Sequence, residues 1–369
     1  MKRRDLVAGM GLLTGGAVLS GCQENTQNSV QSKGISRPKI KWKMVTSWPK
    51  NSPGLGTGAN HLAALIGQMS GGRLQVKVYG AGDLVPAFGV FDSVARGTVE
   101  MGHAAAYYWK GKSEAAQFFT SVPFGMTAQE MNAWLYHGGG LALWTSLYEK
   151  FGITPFPAGN MGVQMGGWFN REINTVADLQ GLKMRIPGLG AEVLKKLGGT
   201  PVSLPGGELF TSLQSGAIDA TEWVGPFNDL PKGFYKIAKH YYYPGWHEPG
   251  SVLECLVNTE AYTALPDDLQ AIVSGACQIV NQNMLSEFTA KNNQSLDILV
   301  NQHKVDVRPF PAAVLQKLLS VSMEVAQAVT ERDADAKAIH ASFMQFRQQV
   351  MSYHKISEQA FLNARSAVC

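Results

Sequence analysis

Charged residues and long apolar runs are both scarce in this chain of 369 residues. Only 16% of the residues are charged and 45% are hydrophobic, which is typical of a well-cored globular protein and excludes a disordered one. No basic run occurs beyond residue 4, so the sequence offers no surface for nucleic acid. Beyond residue 21, no apolar segment is long enough to span a bilayer.

Cysteine is also rare, and its spacing carries no pairing pattern. The chain has four cysteines, and no CxxC motif occurs among them. Cys255, Cys277 and Cys369 are therefore expected to be buried or unpaired thiols rather than parts of a disulfide framework.

The familiar motifs of catalysis are missing as well. The chain has no P-loop and no GxSxG, and the stretch "HEPG" at residues 247–250 does not continue into HExxH. Its glycine-rich turns lack the GxGxxG spacing of a dinucleotide site. These absences disfavour an enzyme, although a metal-assisted enzyme that uses Glu222 or Glu248 as a base stays open as an alternative.

The N-terminus has the features of an export signal. Residues 1–21 combine a basic start with an apolar stretch, and Arg3-Arg4 is compatible with twin-arginine export. The segment "LSGC" resembles a lipobox, which would make Cys22 a lipidated mature N-terminus; the alternative is an ordinary cleaved signal. Residues 22–38 are polar and predict a flexible tether.

Two runs of alternating strand and helix patterns follow. Residues 39–160 and 161–224 each contain a β-α-β-α-β order, which favours parallel sheets. In each run a glycine, Gly97 or Gly216, stands where a helix gives way directly to a strand. We therefore predict an α/β fold of two similar lobes.

Ligands of open α/β sheets bind outside the carboxyl ends of the strands. In the first lobe the stretch "AAAYY", which contains Tyr107 and Tyr108, lies at such an end. In the second lobe Glu222 and Trp223 of "DATEWVGP" lie at the equivalent end. The two stretches are expected to face each other across an interlobe cleft.

The remaining residues are assigned to a crossing segment and a helical region. Residues 225–258 are predicted to form the hinge, and residues 259–369 to form long helices that cover the lobes or reach a partner chain. One helix carries an apolar stripe that either mediates a homodimer or packs on its own lobes. The stripe consists of Ile339, Phe343, Phe346, Val350 and Tyr353.

Several polar residues stand inside apolar or glycine-rich stretches. Arg185 in "LKMRIPG" needs a partner, which would be a ligand carboxylate or a structural ion pair with Glu222 or Glu248. Gln164, Glu222 and Glu248 would together suit a hard cation with oxygen ligands, unless the glutamates are exposed beside turns. Trp223 would line the cleft or fill the core.

These stretches also carry a resemblance to a known family. From about Trp42 onward the chain resembles the DctP-type solute receptors of TRAP (tripartite ATP-independent periplasmic) transporters. The most telling segments are "TSWPKNSPGLGTGA", "FPAGNMGVQMGGWF", "GLKMRIPGLGAEVLKKLGG", "LQSGAIDATEWVGPFNDL" and "YYYPGWHEPG". They look most like the TakP-like branch, which binds α-keto acids.

The resemblance implies a two-lobed periplasmic-binding-protein-like fold and a receptor rather than an enzyme. Such a receptor would capture a small monocarboxylate such as pyruvate and deliver it to membrane permease subunits, unless the same cleft serves a sensory receptor. Arg185 would pair with the ligand carboxylate, and sodium or calcium would bridge protein and ligand. The implied cation ligands are Gln164, Glu222, the Trp223 carbonyl and Glu248, and similarity of context adds Tyr107, Tyr108 and Trp48 to the pocket. The branch also includes dimers held by a long C-terminal helix.

Overall fold

Two β-sheets organise the protein in a computed structural model that describes residues 39–367. The predictions for the signal segment, for the tether and for lipidation at Cys22 therefore lie outside the described residues, as does Cys369. The strands are β1 Ile40–Thr46, β2 Leu74–Tyr79, β3 Met101–Ala104, β4 Ile153–Asn160, β5 Gly167–Phe169, β6 Lys183–Arg185, β7 Thr200–Val202, β8 Ala220–Thr221, β9 His240–Tyr243, β10 Val252–Asn258 and β11 Asp306–Pro309.

The helices alternate with these strands in the first two thirds of the chain and dominate the last third. They are α1 Leu55–Met69, α2 Val90–Ala95, α3 Ala128–His137, α4 Gly140–Glu149, α5 Gly188–Lys196, α6 Leu209–Gln214, α7 Pro226–Asp229, α8 Thr259–Thr263, α9 Asp267–Asp297, α10 Ala312–Arg332, α11 Ala334–His354 and α12 Glu358–Ala367. No helix among residues 39–367 is long and apolar enough to cross a membrane.

The first sheet defines lobe 1 and has the strand order β2-β1-β3-β10-β4. Strands β1, β2 and β3 run parallel, as the β-α-β-α-β pattern predicts, whereas β10 is antiparallel to both β3 and β4. The second sheet defines lobe 2 and has the order β11-β9-β5-β8-β6-β7. There β6, β7 and β8 run parallel, and β5 is antiparallel to β8.

The helix ends that the glycines mark are formed as the sequence predicts. Gly97 follows α2 with φ 67° and Gly216 follows α6 with φ 72°. A residue with a Cβ atom is strained in this left-handed conformation, so glycine lets each helix turn sharply toward the next strand.

Lobe 2 contains two strands that lie outside residues 161–224, the range predicted for it from the sequence. Strand β9 lies within residues 225–258 and β11 lies within residues 259–369, yet both pair in the second sheet. Within residues 39–367 the chain passes between the sheets at three places, which are the β4–β5, β9–β10 and α9–β11 connections. Strand β10 brings the chain back to lobe 1 and pairs antiparallel with its neighbours there, so a β-α-β pattern does not predict it.

The C-terminal helices join both lobes. Helix α9 contacts β4 and α1 in lobe 1 and also α7, while α10 packs on α5 of lobe 2 and α11 packs on α3 and α4. The predicted last helix is interrupted by a turn at residues 355–357, which separates α11 from α12. Of its apolar stripe, Ile339 and Phe343 are buried against the chain itself, whereas Tyr353 is exposed.

The described cysteines behave as expected from their spacing. Cys255 on β10 and Cys277 on α9 are both buried and both free. They belong to the apolar core that lies between the first sheet and helices α1 and α9.

Candidate ligand- and cation-binding site

The carboxyl ends of two parallel strands bring the central charged pair together. Arg185 is the last residue of β6 and lies opposite Thr221, the last residue of β8. Glu222 follows immediately, and its backbone N–H donates to the Arg185 carbonyl at 3.2 Å. The sequence prediction that Glu222 and Trp223 lie at a strand end is confirmed.

Arg185 is buried, with 1% exposure, and it forms an ion pair with the equally buried Glu222. Its Nε donates to the Leu204 carbonyl at 3.2 Å, and its Nη2 donates to the Tyr108 hydroxyl at 3.3 Å. Burial lowers the pKa of Arg185. Glu222, the neighbouring tyrosines and Glu248 together raise this pKa by a larger amount, so it lies above its ordinary value. The guanidinium is therefore permanently charged inside the protein.

A second carboxylate lies beside this pair. Glu248 is buried and accepts hydrogen bonds at one oxygen, Oε2, from Gln164 Nε2 at 2.7 Å and from Ser251 Oγ at 2.5 Å. Burial and the negative charge of Glu222 raise the pKa of Glu248 to about 7. This is the behaviour of a carboxylate that lacks a compensating positive charge.

Gln164 has an unused acceptor in this arrangement. Its amide nitrogen is bound to Glu248, while its Oε1 is buried and has no hydrogen-bond partner among the described residues. A buried acceptor without a partner is costly unless a ligand or an ion satisfies it. An amide oxygen beside two carboxylates is a donor set that suits a hard cation such as Na⁺ or Ca²⁺.

Sequence reasoning missed His247, which completes this cluster. One ligand atom each from Glu222, His247 and Glu248 lies within 4.8 Å of the others, and all three residues are buried. His247 Nε2 is 3.4 Å from Glu222 Oε2, and its Nδ1 has no partner among the described residues. The available signal is the pair His247-Glu248 in "GWHEPG", in which the histidine stands directly beside a predicted cation ligand.

Aromatic side chains from lobe 1 cover the charged cluster. The ring of Tyr107 is 4.8 Å from that of Tyr108, which is 6.1 Å from that of Trp48. Trp48 Nε1 donates to His103 Nδ1 at 2.7 Å, and His103 Nε2 faces the Ala158 carbonyl at 3.1 Å. Burial lowers the pKa of His103 to about 4, so this imidazole is neutral and adds no charge to the pocket.

Trp223 contributes both to the pocket and to its support. Its ring is 6.5 Å from that of Trp48, and the Arg185 guanidinium lies 5.1 Å from the ring centre. A Cβ on Gly206 would come within 2.2 Å of the indole, so only glycine leaves room for it there. The indole Nε1 donates to Asn228 Oδ1 at 2.6 Å, which fixes the ring plane.

The structure thus brings all eight of the predicted site residues into one buried region between the lobes. Arg185, Glu222 and Trp223 come from lobe 2, whereas Gln164 and Glu248 lie in the β4–β5 and β9–β10 connections that pass between the lobes. The tyrosines and Trp48 come from lobe 1, but the tyrosines lie on a helical turn, Ala106–Trp109, and not on the strand that the sequence predicts. The two lobes touch at the site through Tyr108 and Arg185, so this conformation is closed.

Comparison with known proteins places this geometry in context. The family model for bacterial extracellular solute-binding protein, family 7 (DctP), matches residues 44–333. The chain is 42% identical, over the full length of both chains, to the monocarboxylate 2-oxoacid-binding periplasmic protein of Nostoc sp. (strain PCC 7120).

Two solved structures are similar over almost their whole length. A TRAP periplasmic solute-binding protein from Pseudoalteromonas atlantica T6c, with bound sodium and pyruvate, is 44% identical with a TM-score of 0.86, covering 88% of this chain and 99% of that one. A TRAP transporter solute-binding protein from Bordetella bronchiseptica RB50 is a mixed-occupancy dimer with calcium and picolinate in one site. It is 37% identical with a TM-score of 0.88, covering 90% of this chain and 98% of that one.

These findings confirm the predicted fold class and the resemblance on which the expectations of function rest. The family consists of extracytoplasmic solute-binding proteins of transporters and not of enzymes. The chain belongs to the DctP family of TRAP solute receptors.

Proposed function

We propose that this receptor captures a small monocarboxylate, a 2-oxo acid such as pyruvate, through Arg185 and a bridging cation, and delivers it to a TRAP permease. One observation supports this most directly: Gln164, whose Oε1 is unpartnered among the described residues, is bonded to Glu248, which belongs to one buried cluster with Glu222, the partner of Arg185. The 2-oxoacid-binding relative from Nostoc and the Pseudoalteromonas structure with bound pyruvate support the ligand class.

The chemistry of the ligand fits this set of groups. A 2-oxo acid offers a carboxylate and an adjacent carbonyl oxygen, which together form a chelating pair for a cation. Arg185 retains donor capacity at Nη2, whose one hydrogen bond within residues 39–367 is made to the Tyr108 hydroxyl at 3.3 Å. That end of the guanidinium would hold the outer carboxylate oxygen.

The cation is needed for an electrostatic reason. Glu222 and Glu248 face the space where an anion would bind, and charges in a buried site interact far more strongly than in water. Whenever both carboxylates are ionised they outweigh the one arginine, so without a cation the site is then net negative and repels the ligand. A cation bound by Glu222, Glu248, Gln164 Oε1 and the Trp223 carbonyl neutralises this charge if it is Na⁺ and makes the site positive if it is Ca²⁺.

The structure also contains the main competing arrangement. Glu222 already forms an ion pair with Arg185, so the two residues would satisfy each other without any ion. In our proposal Glu222 keeps one oxygen for Arg185 and offers the other, which here faces His247, to the cation.

Isothermal titration with a panel of monocarboxylates separates the two arrangements. We expect pyruvate and 2-oxobutyrate to bind in the presence of sodium or calcium, and to bind far more weakly after dialysis against chelator in sodium-free buffer. Unchanged affinity after that dialysis would contradict the cation. Failure of every 2-oxo acid to bind in either buffer would contradict the ligand class.

Ligand entry requires that the lobes separate. Arg185, Glu222 and Glu248 are all at most 3% exposed in this conformation, so no ligand reaches them while the lobes touch. A ligand that binds the closed state better would shift the equilibrium toward it. Small-angle scattering should show a smaller radius of gyration with saturating pyruvate and sodium than without them.

The C-terminal region offers a surface for a homodimer. Helix α12 has no buried residue, and several large apolar side chains around it are exposed. They are Met351, Tyr353, Ile356, Phe361 and Leu362. Their exposure favours a second copy of the chain as the partner, and the Bordetella relative is described as a dimer. Sedimentation of the chain from residue 23 onward at tens of micromolar should show a dimer, and a strictly monomeric species would contradict it.

The N-terminal predictions concern the membrane. We propose that Cys22 becomes the lipidated mature N-terminus, so that contact with the membrane is through the lipid and the permease. Mass spectrometry of the N-terminal peptide from exported protein should show an acylated Cys22. An unmodified N-terminus at any residue would contradict the anchor.

A neighbouring gene for a permease would favour transport over sensing.

A further inference from the structure

The short helix α7 follows the site directly and is fixed to lobe 2. Its last residue, Asp229, is buried and accepts hydrogen bonds from Trp168 Nε1 at 3.0 Å and from the Tyr241 hydroxyl at 2.8 Å. These donors stand on β5 and β9, which are both strands of the second sheet. Asp229 also accepts from the Val224 backbone N–H, which closes the turn from Val224 to Asp229, and within this turn the Phe227 backbone N–H donates to Asn292 Oδ1 on α9 at 3.0 Å.

The preceding residue, Asn228, points in the opposite direction. It is 1% exposed, and its Oδ1 accepts the indole N–H of Trp223 at 2.6 Å. Its Nδ2 donates to the Pro53 carbonyl at 2.5 Å. Pro53 lies in the loop between β1 and α1, which belongs to lobe 1 and also carries Trp48.

We propose that Asn228 is a positioning residue that acts as a closure latch between the lobes. The proposal rests on the ligand-binding function proposed above. The amide uses its acceptor on the site tryptophan and its donor on the opposite lobe, so the two bonds fix each other's orientation. When the Trp223 indole is bound to Oδ1 of Asn228, the amide orients its N–H₂ group toward the Pro53 carbonyl.

The latch has a kinetic consequence. The Asn228–Pro53 bond exists only while the loop of lobe 1 is docked, so it stabilises the closed state and not the open one. A receptor with a smaller closed fraction has a weaker apparent affinity for every ligand in proportion. Loss of the latch should therefore speed ligand release, leave ligand capture almost unchanged and leave the ranking of ligands as it was.

Replacement by aspartate tests the latch alone. In Asn228→Asp, one oxygen of the ionised carboxylate still accepts from the Trp223 indole, but the other faces the Pro53 carbonyl oxygen and cannot donate. Asn283→Asp makes the same change at an exposed position on α9 and is the matched control. Melting of the ligand-free proteins establishes that each variant is folded, and Asn228→Ala replaces Asn228→Asp if the aspartate variant is not.

Stopped-flow release of pyruvate in sodium buffer is the main measurement. We expect Asn228→Asp to release pyruvate about tenfold faster than the wild type, with an unchanged association rate and an unchanged ratio of pyruvate to 2-oxobutyrate affinity. Asn283→Asp should match the wild type. An unchanged release rate, or a loss confined to the association rate, would overturn the latch.

Scattering supplies a readout that is independent of the ligand's identity. The ligand-free Asn228→Asp protein should have a larger radius of gyration than the ligand-free wild type, because the closed fraction is smaller. If the wild type binds no pyruvate, the proposed ligand is wrong, and the latch is then decided by the two ligand-free radii of gyration alone. Equal radii for Asn228→Asp and the wild type would overturn the latch.

Discussion

The carboxyl ends of the two parallel strand sets are alike in topology and different in chemistry. In lobe 1 the order β2-β1-β3 leads into Tyr107 and Tyr108, and in lobe 2 the order β7-β6-β8 leads into Glu222 and Trp223. The charged pair Arg185 and Glu222 comes from lobe 2 and Glu248 comes from the β9–β10 connection, while lobe 1 supplies aromatic rings and a neutral His103. This division assigns recognition of charge to lobe 2 and exclusion of water to lobe 1.

Removal of Arg185 is the strongest test of this division. Arg185→Ala should abolish carboxylate binding, because truncation of one partner of a buried charge pair costs roughly 2–5 kcal/mol, and each 1.4 kcal/mol is tenfold in affinity. Lysine should restore little, because the planar fork of donors is lost. Titration with pyruvate in sodium buffer measures the loss.

The matched control for that variant is Arg171→Ala, which removes an exposed arginine from the same lobe. It should bind like the wild type. Near-normal affinity in folded Arg185→Ala protein would mean that lobe 2 does not read the charge of the ligand.

The two carboxylates provide the next largest effect. Glu222→Gln and Glu248→Gln should each weaken the cation and the 2-oxo acid together, on the order of ten- to a hundredfold, because coupling between two ligands is reciprocal. Titrating each ligand at several fixed concentrations of the other measures the coupling. A variant that loses one affinity and keeps the other would separate the cation from the ligand.

A smaller effect is expected from lobe 1. Tyr108→Phe removes the hydroxyl that accepts from Arg185 Nη2 and keeps the ring, so about 1 kcal/mol, or roughly fivefold in affinity, should be lost. The exposed Tyr243 gives the control, Tyr243→Phe. A loss as large as that of Arg185→Ala would show that lobe 1 shares in recognition of charge.

The smallest expected effect concerns stability and not binding. Glu254 on β10 is buried in lobe 1 and accepts from Trp109 Nε1 and the Tyr148 hydroxyl, and burial raises its pKa to about 8. The folded state then holds this proton more tightly than the unfolded state, whose pKa is the ordinary 4.5. The contribution of Glu254 to stability is therefore full below pH 4.5 and decreases as the pH rises toward 8.

Glu254→Gln should remove that pH dependence. The amide oxygen can accept from Trp109 while the amide nitrogen donates to Tyr148, so the contacts survive without an ionisable group. We expect a melting temperature a few degrees above the wild type at pH 8 and a small difference at pH 5. Melting curves over this range check it, and parallel curves for the two proteins would contradict it.

The sequence predicted the elements that depend on local patterns. Strand β1, helix α1 and the left-handed glycines after α2 and α6 follow from alternation, helical spacing and backbone freedom, all of which act over a few residues. The partnership of Arg185 and Glu222 was also accessible, because parallel strand ends lie side by side.

Long-range pairing was not accessible in the same way. Strand β10 inserts antiparallel between β3 and β4 after an excursion through lobe 2, and no local pattern specifies that position. His247 was missed for a related reason, since its approach to Glu222 depends on a loop that brings residues 25 positions apart together. The stretch "AAAYY" predicts a strand for the tyrosines, because it gives no turn signal before Lys110.

The repeated passage of the chain between the lobes limits how they can separate. In the part of the chain that the structure describes, three connections between the sheets and the junction of α10 with α11 tie the same two bodies together. A single tether would leave the lobes free to twist and slide, whereas several short ties leave rotation about one axis as the easiest motion. A membrane partner would then have one coordinate, the angle between the lobes, by which to distinguish the loaded receptor from the empty one.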